Sequence, residues 1–308
     1  ACTLTITGVK VENWSLMDLM GNCKSEDAIV MDRVRFTYGG GASTPPLTRA
    51  HERAGILDNS GSIANSGGMA VKSDGDWFNV ACASLRVSRG GTLAVMGASG
   101  SGKSTLCYIL AGLAPRYTGG KIRGVVCVAG HNVVAEAPAV GNVGILFQDA
   151  VTQLFNATVE DEIAWGLEAM AVPATRIGAR VHEALEQFGM LGLEHRHPWA
   201  LSGGQQKRLA LAALWAMEPR VLLLDEPLGG LDPEGREEIL AALHQVQQAG
   251  TSLLWTTLRP QMADLAEAVA LLDGGQLTPP APASDVLRQE GRLVQAGILY
   301  PQSRWPHF

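Results

Sequence analysis

Gly97-Ala98-Ser99-Gly100-Ser101-Gly102-Lys103-Ser104-Thr105 fills every fixed position of the pattern G-x-x-x-x-G-K-[ST]. The apolar run 93–96 precedes it and the helix-compatible run 106–111 follows it, the strand–loop–helix context that a phosphate-binding loop needs. Glycines let backbone N–H groups close around phosphate oxygens, and the start of the helix adds the positive end of its dipole. In such a loop Lys103 reaches the β- and γ-phosphates and the Ser104 hydroxyl ligates Mg²⁺. The stretch therefore implies a nucleoside triphosphate ligand.

The rest of the chain sets bounds on what is done with it. Of 308 residues, 46% are hydrophobic and 18% charged, enough apolar material for a sizeable core and unlike a disordered chain. The net charge of −6 argues against a nucleic-acid partner, which draws a basic excess. Five cysteines (2, 23, 82, 107 and 127) are scattered, odd in number and without C-x-x-C, so they read as reduced thiols of a cytosolic protein, with Cys2 and Cys23 inert. No apolar run approaches the ~18 residues of a membrane helix and no leader is evident, so any action at a membrane passes through a partner.

Along the chain, 28–38 alternates as strand, and 39–76 is a long surface loop rich in Gly, Ser, Asn and Pro. Strand character returns at 77–87, in 92–96 leading into the phosphate loop, and again at 125–128 and 143–147. From 150 to about 215 the pattern is helical, with helices at 159–170, 176–190 and from Leu201 through Leu214, punctuated by Pro173 and Pro198. Strands at 221–224, 252–256 and 269–272 then alternate with helices at 234–248 and 261–267. Strand–helix alternation of this kind predicts an α/β fold with a mostly parallel sheet covered on both faces. The expected division is one domain over 1–278, with a helical subdomain at about 150–215, and a Pro-rich, weakly helical tail over 279–308.

Two further stretches carry chemistry. Four apolar residues, Val221-Leu222-Leu223-Leu224, deliver Asp225 and Glu226 to a strand end, where Asp225 can hold Mg²⁺ and Glu226 can polarise an attacking water. In Leu201-Ser202-Gly203-Gly204-Gln205-Gln206-Lys207-Arg208, Ser202 stands where a helix N-cap belongs and the glycines permit close backbone approach. That is a second phosphate-binding surface, and one nucleotide does not need two from one chain. Two chains sandwiching the nucleotide, each supplying the opposite wall, make sense of it.

Together these stretches resemble an ATP-binding cassette (ABC) ATPase over about 30–273, excluding the loop at 39–76. The resemblance implies a P-loop NTPase core, an antiparallel β subdomain on the N-terminal side and a helical subdomain carrying the signature. It makes Gly97–Thr105 the Walker A loop for ATP, 221–226 the Walker B strand and Leu201, Ser202, Gly203, Gly204 and Gln205 the signature. Leu231-Asp232 becomes the D-loop, Gln148 the glutamine that senses Mg²⁺ and γ-phosphate, and Tyr38 a candidate for stacking on adenine, with a plain strand-end tyrosine as the alternative. The stretch Phe147-Gln148-Asp149, then Gln153-Leu154-Phe155 and 158–166, is similar to energy-coupling-factor and cobalt-type importer ATPases, as are Leu287, Gly297 and Pro301 of the tail. Those chains pair beneath a membrane scaffold and drive uptake of vitamins or of cobalt and nickel ions. The implied partners are a second ABC ATPase chain, in a homo- or heterodimer, and integral membrane transporter subunits docked near 148–155. The implied place is peripheral, on the cytoplasmic face of the cell membrane. A soluble ABC ATPase acting on nucleic acid or ribosomes is the alternative, but it would carry a long coiled coil or a second cassette; a phosphate-loop kinase would not need the signature. One position departs from the family: Thr257 stands where a γ-phosphate histidine is usual, which handicaps this chain's own site while leaving its signature intact for a partner.

Overall fold

The computed structural model describes residues 27–38 and 79–299, with Thr5–Ile6, Val9–Lys10 and Cys23. The expectations for 1–27 thus lie largely, and those for 39–76, Pro301 and the rest of the tail past 299 entirely, outside the described residues.

The strands are β1 (Thr5–Ile6), β2 (Val9–Lys10), β3 (Asp27–Thr37), β4 (Asn79–Ser88), β5 (Thr92–Met96), β6 (Lys121–Val128), β7 (His131–Asn132), β8 (Val143–Leu146), β9 (Val221–Asp225), β10 (Ser252–Thr257), β11 (Ala268–Asp273), β12 (Gln276–Leu277) and β13 (Ala281–Pro282). The helices are α1 (Lys103–Leu110), α2 (Val159–Ala169), α3 (Ala174–Gln187), α4 (Gly203–Ala216), α5 (Pro233–Gln248), α6 (Pro260–Ala263), α7 (Ala283–Leu287) and α8 (Glu290–Gln295). Strands β1 and β2 pair with each other; the others form one mixed sheet in the order β7-β6-β3-β4-β12-β11-β5-β10-β9-β8, with β13 added to β11. From β11 through β5, β10 and β9 to β8 every pairing is parallel, whereas β3, β4, β6 and β7 pair antiparallel. This is the α/β P-loop NTPase architecture, with the antiparallel strands at one end of the sheet and helices α2 to α4 inserted between β8 and β9.

The parallel strands are buried on both faces, and their side chains alternate between two cores. Ala94, Met96, Leu222 and Leu224 face the cluster that also contains Ile163, Leu209 and Ile239, whereas Leu93, Val95, Val221 and Leu223 face the one containing Leu106, Ile109 and Phe36. A one-residue slip would exchange the two sets, so register here is tightly fixed.

Three expectations are corrected. Residues 261–267 form only the single turn of α6, because the Glu267 backbone N–H is taken by the Thr92 hydroxyl at 2.9 Å and the chain is drawn straight into β11. The tail does not start outside the domain: β13 pairs with β11, and Ala283, Val286, Leu293, Ala296 and Ile298 belong to the larger core. Cys23 and Cys127 are joined in a disulfide, with Cα atoms 5.3 Å apart, while Cys82 and Cys107 are free and buried. The bonded pair is separated by 104 residues, so spacing carried no sign of it. Among the described residues no helix is long and apolar enough to cross a membrane.

Candidate active site

Parallel pairing brings four loops to one edge of the sheet. Leu146 of β8 lies level with Leu224, Asp225 of β9 with Thr256, and Thr257 of β10 with Met96, the last residue before the phosphate loop. The segments leaving these strands carry Gln148, Glu226, Leu258 and Gly97, so residues far apart in sequence share the carboxyl edge where open α/β sheets bind ligands. Gln148 itself is exposed.

In the phosphate loop, a side chain at Gly97 would collide with the Leu272 carbonyl, so only glycine fits there. Gly102, at φ 109°, turns the loop into α1, a conformation that favours glycine. Ser101 Oγ is buried with no hydrogen-bond partner among the described residues, a polar atom that an incoming oxygen would satisfy. Lys103 is buried and folds back on its own loop: Nζ donates to Gly97 O at 2.9 Å and Ala98 O at 3.1 Å, and lies 3.1 Å from Glu226 Oε1. At the far end of the loop the Tyr38 hydroxyl is 3.4 Å from Thr105 Oγ1, and its ring stands edge-on to Phe36 at 4.8 Å. Burial raises the Tyr38 pKa, against the opposing pull of hydrogen bonds with Thr105 and Thr118. The structure thus brings Tyr38 to the phosphate loop.

The acidic strand end is organised by a residue that the sequence did not single out. Thr256 Oγ1 donates to Asp225 Oδ1 at 2.6 Å and accepts from the Glu226 backbone N–H at 3.0 Å. Burial pushes the Asp225 carboxyl above its usual range, and hydrogen bonds from Ser104 and Thr256 pull it back down. Ser104 and Asp225 therefore meet across the loop, a hydroxyl and a carboxylate of the kind hard divalent cations take. Glu226 has φ 49°, unusual for a residue with a side chain and worth about 1–3 kcal/mol of strain that its surroundings must hold. Thr257 is buried, and its hydroxyl accepts from the Arg259 N–H at 3.0 Å.

Ser202 is the N-cap of α4 and, with Gln205, closes a capping box: the Gln205 N–H donates to Ser202 Oγ at 3.3 Å and the Ser202 N–H to Gln205 Oε1 at 3.0 Å. Ser202 and Gly203 are exposed, and nothing lies within 4 Å of the direction a Gly203 side chain would take. A side chain at Gly204 would touch Leu231, so the signature rests on the D-loop, whose Asp232 caps α5 by accepting from the Gly235 N–H at 2.8 Å. Among the described residues Ser202 and Gln205 bond to each other and not to the loop at 97–105.

The sequence also missed Lys207. Its ammonium is buried and donates to Gly229 O at 2.6 Å, with Glu226 O at 3.5 Å. A lysine in the first turns of a helix reads as solvated, and no local pattern marks this one as inward.

Around 148–155 the outcome is mixed. Gln153 is half-buried and spent on the strand end, donating to Ile145 O and accepting from the Phe147 N–H, both at 2.9 Å. Leu154 is core, at 4% exposure. Phe155 is 61% exposed, stacked edge-on against Trp165 at 5.1 Å, and Trp199, 65% exposed, donates from Nε1 to Leu154 O at 3.4 Å. The Phe155 turn is fixed from beneath, because buried Glu162 accepts from the N–H groups of Phe155 and Asn156 at 3.0 and 2.8 Å. Of Gln153, Leu154 and Phe155, within the stretch expected near a membrane partner, Phe155 alone is exposed, with the Trp165 ring against it and Trp199 bonded to the carbonyl just before it.

A family profile described as ABC transporter matches residues 80–229. Similar proteins include the energy-coupling factor transporter ATP-binding protein EcfA1 of Levilactobacillus brevis, 38% identical over 71% of this chain and 77% of that one. The cobalt import ATP-binding protein CbiO of Rhodobacter capsulatus is also 38% identical, over 71% of this chain and 78% of its own. Among solved structures, cbiO1 of Clostridium perfringens, described as part of the ABC transporter complex cbiONQ, superposes with a TM-score of 0.62 over 91% of this chain and 98% of its own, at 24% identity.

Proposed function

The chain belongs to the ABC transporter family, as an ATP-binding and ATP-hydrolysing subunit, and from that premise we propose that it energises uptake of a small solute, such as a vitamin or a cobalt or nickel ion. It does so as one of two paired ATPase chains beneath an integral membrane scaffold, on the cytoplasmic face. The observation that carries the pairing is the exposed, self-capped signature helix, whose Ser202 and Gln205 bond each other and not the phosphate loop: the loop holds this chain's nucleotide, and the signature is left to meet one held by another chain. The importer class rests on the relatives, which are named for energy coupling and cobalt import. The exposed Phe155, Trp165 and Trp199 cluster suits a docking surface for the scaffold, because apolar patches of this kind mark partner sites.

The mechanism follows from the chain's own groups. Lys103 must leave Glu226 and the Gly97 and Ala98 carbonyls to meet the phosphates, which frees the Glu226 carboxylate to orient and deprotonate the attacking water. Ser104 and Asp225, with Gln148 at the neighbouring strand end, would hold Mg²⁺, which when bound neutralises charge on the phosphate oxygens. Thr256 fixes Asp225 and the Glu226 backbone in one frame. The signature Ser202 and the exposed N-terminus of its helix would face the γ-phosphate bound by the other chain. The test is affinity purification of the tagged chain from detergent-solubilised membranes of its source cells. Stoichiometric integral membrane proteins and ATP-dependent solute uptake by the reconstituted assembly are expected; recovery of the chain from the membrane fraction without any integral membrane protein refutes the transporter reading.

A further inference from the structure

We propose that Lys207 is a positioning residue for hydrolysis: it ties the signature helix α4 to the turn that carries Glu226, so that engagement of the signature sets the catalytic acid of the same chain. The proposal rests on the ATPase reading above. Residues 226–229 form a closed turn, the Gly229 N–H donating to Glu226 O at 2.9 Å. Lys207 Nζ reaches both outer carbonyls of that turn, Gly229 O at 2.6 Å and Glu226 O at 3.5 Å. Glu226 sits in the left-handed region, where its backbone relaxes unless held. It is held from one side by Thr256 on its N–H and from the other by Lys207 on the turn carbonyls. The lysine lies three residues beyond Gly204, one helical turn from the signature, and Gly204 in turn abuts Leu231 just past the same turn. Helix α4 thus touches the acid's loop at both ends of 226–231.

A buried ammonium is an uneconomical way to fill space, since an apolar side chain of that length packs without the desolvation penalty. Burial does depress the Lys207 pKa, with the negative charges of Glu226, Asp149 and Asp225 opposing the shift. The lysine therefore stands among the Walker B acids and the residue after Gln148, linking three motifs. In a head-to-tail pair, the nucleotide on one chain's phosphate loop meets the other chain's signature. Movement of that α4 would then be felt at that chain's own Glu226, coupling the two sites.

The test uses the full chain with Lys207→Met, of similar length but unable to donate, and Lys207→Arg, which keeps charge and donors. For hydrolysis, Lys207→Met is expected to leave the ATP Kd and KM within about twofold and to lower kcat by at least about tenfold, since a misplacement of about 1 Å at a reacting group can reduce rate about 100-fold. Lys207→Arg recovers kcat to within about threefold. Hydrogen exchange is read in parallel on the nucleotide-free chain: exchange at 226–231 quickens at least about tenfold in Lys207→Met while that of α1 is unchanged. An unchanged kcat overturns the proposal, as does a rise in Kd matching the loss of kcat, or a general quickening of exchange, either of which marks an ordinary structural strut. If the wild-type chain alone does not hydrolyse ATP, kcat is read in the assembly recovered from membranes, where an inactive wild type defeats the ATPase reading by itself; the exchange result still decides whether Lys207 holds the turn.

Discussion

Replacing Glu226 by Gln should make the nucleotide-free chain bind ATP more tightly while it stops turning over. In the free chain Lys103 Nζ lies 3.1 Å from Glu226 Oε1, with the lysine side chain 6% and the glutamate 20% exposed. At that distance the gross attraction is about 5 kcal/mol for an effective dielectric constant of about 20. Desolvation offsets most of it, and charge-assisted hydrogen bonds retain a net of about 1.5–3 kcal/mol. The glutamate is partly wet and Lys103 keeps the Gly97 and Ala98 carbonyls, so the lower end, about 1.5 kcal/mol, is the appropriate figure. ATP must break this pair to reach the lysine, and Glu226→Gln removes its ionic part in advance, leaving a neutral amide oxygen that is a weaker acceptor. The Kd should fall by a factor of about 3 to 10, and loss of the repulsion between the carboxylate and the γ-phosphate acts in the same direction. Turnover should fall by about 10²–10⁴ with the general base gone, trapping an ATP-bound pair. Isothermal titration of the wild type, Glu226→Gln, Lys103→Ala and the double variant, in EDTA so that no hydrolysis intervenes, separates the contributions. Lys103→Ala weakens binding, and in its background the gain from Glu226→Gln shrinks because no pair remains to release. A Kd for Glu226→Gln equal to or weaker than the wild type would refute the resting-lock argument, and undiminished affinity in Lys103→Ala would remove Lys103 from the phosphate site.

Burial raises the folded-state pKa of Asp225, so the folded chain holds that proton more tightly than the unfolded one; the group's stabilising contribution is present below its unfolded pKa and is lost as pH rises through the folded value. Asp225→Asn should therefore raise Tm at pH 7 by about 2–4 °C, with a smaller gain at pH 4, while hydrolysis is lost; a lower Tm at pH 7 contradicts the burial argument. Thr257→His should increase hydrolysis by the purified chain about tenfold or more, because a charge-capable donor is restored where phosphate charge develops; equal rates would show that Thr257 is no handicap. Phe155→Ser should leave the melt of the isolated chain within about 0.5 kcal/mol of wild type, as expected for an exposed position, yet abolish recovery of the membrane partner; full recovery would move the docking surface elsewhere.

The local pieces of this protein were legible in its sequence because each is contiguous. The phosphate loop, the acidic strand end and the capped signature helix are each specified within a few residues by glycine freedom, strand alternation and N-cap chemistry. Strand–helix alternation gave the fold class for the same reason, and Thr257 could be placed because β10 has a clear apolar run before it. What pairs across the fold was not legible. That Thr256 bonds Asp225 depends on β10 lying in register beside β9, and that Cys23 meets Cys127 depends on β6 lying beside β3, the strand that starts four residues after Cys23. The tail reads as Pro-rich and weakly helical, yet Leu293 and Ile298 are core because β13 returns to β11. Lys207 is buried because α4 crosses the 226–229 turn, and the Lys103–Glu226 pair forms because strands β5 and β9 flank β10 in one parallel sheet. Periodicity and capping act over one or two turns of chain, whereas register, burial and the pairing of charges are set by which distant segments the sheet places side by side.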